Sequence, residues 1–241
     1  MLNLARLFPF HGTGLRATMD SVRNAKAGHI RLLIYSATFL SVLFLFMFYL
    51  DEMVVAWIMR LKAEGSPFMS LVKSVDPAID FLSHGSTIII ASVLVYIYGR
   101  FFHRKLAEVG LALIMGYLTS GIGAQVLKHL LGRARPRITP ETVFIGPSLK
   151  SSYDSFVSGH AAVAFCVAFI LSYYYPKYRV LFYAFAVLTA LGRLDSPSHF
   201  PSDLLGGAVF GLLAARVVMR MGRKGLPKAA SPQADTGHLQ T

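Results

Sequence analysis

Charged residues are scarce in this 241-residue chain, at 15% against an apolar set of 54%. A soluble domain of ordinary composition carries about 25% charged residues, so there are too few charges here to coat a globule of this size. The shortage argues against soluble, disordered and nucleic-acid-binding classes and for a membrane protein. Cysteine is almost absent. Cys166 is the single thiol, so no internal disulfide exists, and its apolar surroundings in the sequence make it a packing residue. Acidic residues are few as well, 12 against 24 Lys and Arg, which leaves a net charge of +12. Repeats and low-complexity tracts are missing, and no cleavable leader is expected, because the first apolar run begins near residue 30 and is long enough to remain as an anchor.

What the sequence does have is long apolar runs. A hydrocarbon core of roughly 30 Å needs about 20 residues per helix, and runs of that kind lie near 30–50, 81–102, 106–127, 157–175, 179–194 and 201–219. The expectation is an all-α protein, a six-transmembrane-helix bundle with a short interfacial helical segment between spans 1 and 2. That segment, 53–80, holds Trp57, Arg60, Lys62, Glu64, Pro67, Lys73, Asp76 and Pro77 and is too polar to cross. Residues 1–29 read as a cytoplasmic N-terminal segment, 30–224 as the membrane domain and 225–241, with Pro227, Ser231, Pro232 and Gly237, as a flexible cytoplasmic tail.

With six spans both termini share one side, and 15 of the 24 basic residues fall there with three of the 12 acids. The positive-inside rule makes that side cytoplasmic. The basic excess then reflects topology and anionic lipid rather than a nucleic-acid partner.

Three polar clusters interrupt the apolar pattern on the opposite, outer side. Lys128 to Arg137 end the third span, and Lys128 and Arg135 are two helical turns apart, on one face if the helix continues. They suit a shared anion, although taken alone this cluster fits the snorkelling of long cations to the interface better. Ser158, Gly159 and His160 open the fourth span, where unpaired helix N–H groups attract phosphate, though a plain N-cap beside an interfacial histidine has the same sequence. In the third cluster, Gly192 to Asp203, Pro201 suits a first helical turn. Asp203 lies four residues after His199, placed to accept its ring N–H and leave the other nitrogen free as a nucleophile or base. A divalent metal competes poorly where two histidines share space with three cations.

Together, Lys128-x6-Arg135-Pro136, Ser158-Gly159-His160 and Arg193-x5-His199-x3-Asp203 resemble the three-part signature of the type 2 phosphatidic acid phosphatase (PAP2) superfamily. The resemblance implies a bacterial inner-membrane lipid phosphatase that needs no metal and no cofactor. It implies His199 as nucleophile forming a phosphohistidine, Asp203 as its tautomer holder, and His160 as acid and then base. Lys128, Arg135, Arg193, Ser158 and Gly159 would bind phosphate. The implied partner is a lipid phosphate in the membrane, such as lipid A, undecaprenyl diphosphate, phosphatidylglycerophosphate or phosphatidic acid, with no obligate protein partner and a periplasmic site. Transfer of the phosphoryl group to a second lipid uses the same residues. An anion transporter would instead place polar groups at mid-span. Two positions depart from the family pattern: Val157 stands where proline is usual and Gly192 where serine is usual. Arg133, Arg137 and the loop 138–155 are expected to shape headgroup choice, and Gly206, Gly207 and Gly211 to pack the sixth span tightly inside the bundle.

Overall fold

A computed structural model describes residues 13–195 and 198–225. The terminal segments 1–12 and 226–241, including Pro227, Ser231, Pro232 and Gly237, lie outside the described residues, as do Ser196 and Pro197. Contacts divide the chain into two units, 1–45 and 46–241. The first unit contributes one helix, α1 (Thr13–Leu45). Its apolar side chains, among them Leu33, Leu40 and Phe44, are exposed.

The second unit begins with a π-helical turn, Phe46–Leu50. Among the described residues seven α-helices follow: α2 (Asp51–Ala63), α3 (Pro67–Ser83), α4 (Gly85–Phe102), α5 (Arg104–Leu131), α6 (Gly159–Tyr174), α7 (Arg179–Asp195) and α8 (Pro201–Gly225). No strand occurs among the described residues. The all-α expectation therefore matches the structure. Among the described residues four stretches are long and apolar enough to cross a membrane, Leu33–Ala63, Gly85–Phe102, Arg104–Leu131 and Pro201–Gly222, which fits an integral membrane protein. The sequence count of six includes two further segments that are shorter, α6 with 16 residues and α7 with 17. At 1.5 Å per residue α6 rises only about 24 Å.

The polar stretch 53–80 differs from its sequence reading. Its first part belongs to the apolar window Leu33–Ala63, and its second part is α3, which starts on Pro67 and packs against α7 and α4. The physical reason is that Ile58 and Met69, between the charged and proline positions, are buried and tie both parts to the rest of the unit.

Helix α6 is the centre of the unit, against α5, α7 and α8. Its buried face is mostly small, with Ala161, Ala162, Ala164, Cys166 and Ala168 at 5% exposure or less, so neighbouring backbones come close. Gly207 and Gly211 of α8 meet it: a Cβ on Gly211 would stand 2.0 Å from the Ala162 carbonyl oxygen, and one on Gly207 2.5 Å from that of Ser158. The glycine spacing thus serves internal packing. Deeper in the bundle Cys166 and Ile170 join Val109, Leu113 and Ala215 in one core cluster.

Candidate active site

The cleft forms where helix ends converge. Lys128 lies on the last turn of α5, Gly159 and His160 open α6, Arg193 closes α7, and His199 sits on the link to α8. These residues and Arg135 line one cleft of about 920 Å³. Seven residues of the sequence expectation thus fall into two groups, six on the cleft wall and Asp203 buried behind it. The eighth, Ser158, is also fully buried. Its hydroxyl accepts the Ala161 N–H at 3.5 Å, the N-cap role the sequence left open, rather than facing the cleft. Gly159 does face it, and a Cβ there would meet nothing within 4 Å.

His199 is held differently from expectation. Its Nδ1 lies 2.9 Å from the Ser155 carbonyl oxygen and 3.6 Å from Asp203 Oδ2, so the ring N–H donates to the backbone. A carbonyl accepts only, so Nδ1 carries the hydrogen and Nε2 is the free nitrogen. Asp203 is occupied elsewhere. Its Oδ2 accepts from Ser155 Oγ and, at 2.7 Å, from the Phe200 N–H, and its Oδ1 accepts from Arg133 Nη1 at 2.6 Å. Spacing along the chain placed the carboxylate near the ring but could not show how many other donors reach it. Burial holds the His199 imidazolium below the ordinary histidine range, with Asp203 opposing and Lys128 and Arg135 adding to the effect.

Arg133 also corrects the sequence reading. It is fully buried and does not reach a headgroup. Besides Asp203, its guanidinium donates to Asp51 Oδ2 at 2.8 Å, Thr142 Oγ1 at 3.0 Å and Ser202 Oγ at 2.6 Å. Phe200 covers it, ring centroid 4.3 Å from the guanidinium carbon. Asp51 in turn accepts from the Ser202 hydroxyl and, at 2.9 Å, its N–H. Two carboxylates and one guanidinium thus form a buried base behind the His199 ring. Asp51 carried no sequence signal beyond being an acid at the end of an apolar run.

The three cations on the wall are not equivalent. Arg135 makes a two-point pair with Asp154, at 2.9 and 2.7 Å, and these bonds hold the Asp154 carboxyl below its usual range although burial alone would raise it. Arg193 pairs with Asp80 at 2.8 Å and Asp76 at 3.3 Å, both from α3. Lys128, 6% exposed, has no carboxylate within ion-pairing distance among the described residues. Of the three cations that the resemblance assigns to phosphate, Lys128 is thus the one without a carboxylate partner among the described residues, and the partners of the other two, Asp76, Asp80 and Asp154, belong to none of the three motifs. Among the described residues no three His, Cys, Asp or Glu side chains are grouped to hold a metal ion.

Loop 132–158 is closed on itself by backbone bonds, Ala134 N–H to the Val143 carbonyl and Arg135 N–H to the Ser152 carbonyl, both 2.9 Å, and is tied to the end of α5 by Ser148 N–H to the His129 carbonyl at 2.8 Å. Arg137 stays exposed and donates to Ser152 Oγ at 2.8 Å. Val157, joined to Phe156 by a cis peptide bond, is 3% exposed against Ala124 and Ala162. At Gly192 a Cβ would stand 2.5 Å from Asp76 Oδ1.

Residues 105–226, which contain the helix-end cluster, match the model of the PAP2 superfamily. The chain belongs to the PAP2 superfamily. Among its PAP2 relatives is a lipid A 1-phosphatase of Rhizobium johnstonii, 31% identical over 172 residues, 63% of this chain and 70% of that one. A phosphatidylglycerophosphatase B of Bacillus subtilis is 30% identical over 139 residues, 53% of this chain and 64% of that one. The crystal structure of a transmembrane PAP2-type phosphatidylglycerolphosphate phosphatase from Bacillus subtilis covers 78% of this chain and 98% of its own, with a TM-score of 0.51 at 24% identity. That likeness concerns the PAP2 fold.

Proposed function

We propose that this PAP2 protein is an integral-membrane lipid phosphatase that needs no metal and works through a phosphohistidine. The observation that carries the reading is the placement of the His199 and His160 rings, with Lys128, Arg135 and Arg193, on the wall of one cleft. His199 Nε2 bonds to phosphorus as the phosphorus–oxygen bond to the lipid breaks. The leaving oxygen takes a proton from the His160 ring. Water then attacks phosphorus, its proton passes to His160, and the phosphorus–nitrogen bond breaks to free inorganic phosphate and restore His199. The cations balance charge gathering on the phosphoryl oxygens, and the α6 N-terminus at Gly159 adds backbone donors.

The names of the relatives, together with the apolar helices, support a membrane lipid phosphate as substrate, with lipid A-type and other lipid phosphates as candidates. The bacterial relatives support a bacterial inner membrane, and the charge distribution supports cytoplasmic termini with the cleft at the outer face. The exposed cations Arg137 and Lys150 of the loop are placed to meet a headgroup.

The test is phosphate release from a panel of lipid phosphates by the purified protein in detergent, with chelator, for wild type and His199→Ala. Chelator-resistant release lost in the variant supports the scheme. A variant as active as wild type, or a strict metal requirement, overturns it.

A further inference from the structure

Helix α3 belongs to no sequence motif, yet two of its carboxylates reach Arg193 of the cleft wall. Asp80 Oδ1 lies 2.8 Å from Arg193 Nη1 and 3.8 Å from His160 Nε2, so a single oxygen stands between a phosphate-binding cation and the acid of the reaction. Asp76 Oδ1 lies 3.3 Å from Arg193 Nη2, in the space that the missing Cβ of Gly192 leaves open. The guanidinium is 15% exposed and its Nε, buried, has no hydrogen-bond partner. Asp80 is 40% exposed and therefore has room to turn.

Resting on the phosphatase reading above, we propose that Asp80 is a positioning residue that stands in for substrate phosphate on Arg193 and, once a phosphate oxygen takes that place, holds the proton-bearing ring of His160. Lys128, with no carboxylate at ion-pairing distance among the described residues, needs no such displacement to meet phosphate. The dianion then competes with Asp80 for Arg193 Nη1, and it does so with the larger charge. Displaced from Arg193, Asp80 keeps its short path to His160 Nε2. The same competition runs in reverse after hydrolysis, when the returning carboxylate weakens the hold on inorganic phosphate. The groups facing His160 are Asp80 from α3, Arg193 from α7, His199 from the α7–α8 link and Lys128 from α5. Asp80 is the one anion among them, so its loss removes the counter-charge for the protonated ring.

The experiment uses the full chain in detergent and compares wild type with Asp80→Asn, Asp80→Glu and Asp76→Asn. Inorganic phosphate is the probe in calorimetry and as a competitive inhibitor, and kcat and KM are measured on a lipid phosphate. D80N should bind inorganic phosphate roughly three- to tenfold more tightly, the scale of a partly exposed charge-assisted contact. Its KM should fall, its kcat should fall, and the alkaline limb of kcat should move to lower pH, with D80E restoring all of these. D76N, which frees Arg193 but does not reach His160, should tighten phosphate with a smaller loss of kcat than D80N, and it keeps the test open if D80N does not fold. Unchanged phosphate affinity in both asparagine variants overturns the proposal and leaves α3 as a structural clamp. If wild type releases no phosphate from any lipid, the phosphatase reading falls by itself. Calorimetry still decides whether Asp80 competes with phosphate.

Discussion

Arg133 Nη1 lies 2.6 Å from Asp203 Oδ1 with both side chains fully buried, and Asp203 stands directly behind the His199 ring. The guanidinium therefore neutralises a carboxylate that could not otherwise stay charged in the protein interior, and it ties that carboxylate to Asp51 on α2.

Replacing Arg133 with methionine strands two buried carboxylates. Removing one partner of a buried ion pair costs about 3–5 kcal/mol, so the variant should melt well below wild type in detergent. Asp51→Asn leaves the Asp203 pair in place and should cost less. Thermal unfolding followed by circular dichroism checks both. An Arg133→Met variant with an unchanged melting temperature would show that the network is not holding the base of the site.

The protonation of His199 sets an acid limit. Burial, the leading cause, lowers its folded-state pKa below the ordinary value of 6.5. Between the folded-state pKa and 6.5 the unfolded chain binds a proton that the folded chain does not, so stability rises with pH across that window. The contribution is fully present above 6.5 and is lost as pH falls towards the folded-state pKa. Nε2 should therefore remain free below 6.5, and the acid limb of kcat/KM due to His199 should lie beneath that value. Carbon-13 NMR of labelled histidine gives the midpoint directly. A midpoint at or above 6.5 contradicts the burial argument.

Packing between α6 and α8 should be sensitive at Gly211 and insensitive at Gly222. An added methyl at Gly211 meets the Ala162 backbone, which cannot move aside as a side chain does, and overpacking of this kind costs about 1–3 kcal/mol or more. At Gly222 nothing lies within 4 Å of the added carbon, so alanine should be neutral or slightly stabilising through helix propensity. Melting temperatures of Gly211→Ala and Gly222→Ala in the same detergent make the comparison, and equal values would contradict it.

Much of the fold is legible in the sequence because a bilayer imposes a length on any apolar helix. The helical character of 81–102, 106–127 and 201–219 follows from that constraint. The residues of the cleft are legible for a related reason, since charged and imidazole groups at the ends of apolar helices are costly without a use. Residue type and spacing thus determined which side chains stand at helix ends. They also determined that Pro201 opens α8 and that the small residues of α8 face a close neighbour.

The partners of those side chains were decided only by tertiary structure. Arg133 meets Asp51 across 82 positions and Arg193 meets Asp76 across 117, separations at which no local periodicity operates. Which nitrogen of His199 is free, which cation is left unpaired and which hydroxyl is spent on a helix cap all depend on donors and acceptors brought together by packing. A charged group keeps its chemistry from the sequence. Its availability comes from whichever counter-charge the fold places within about 3 Å of it.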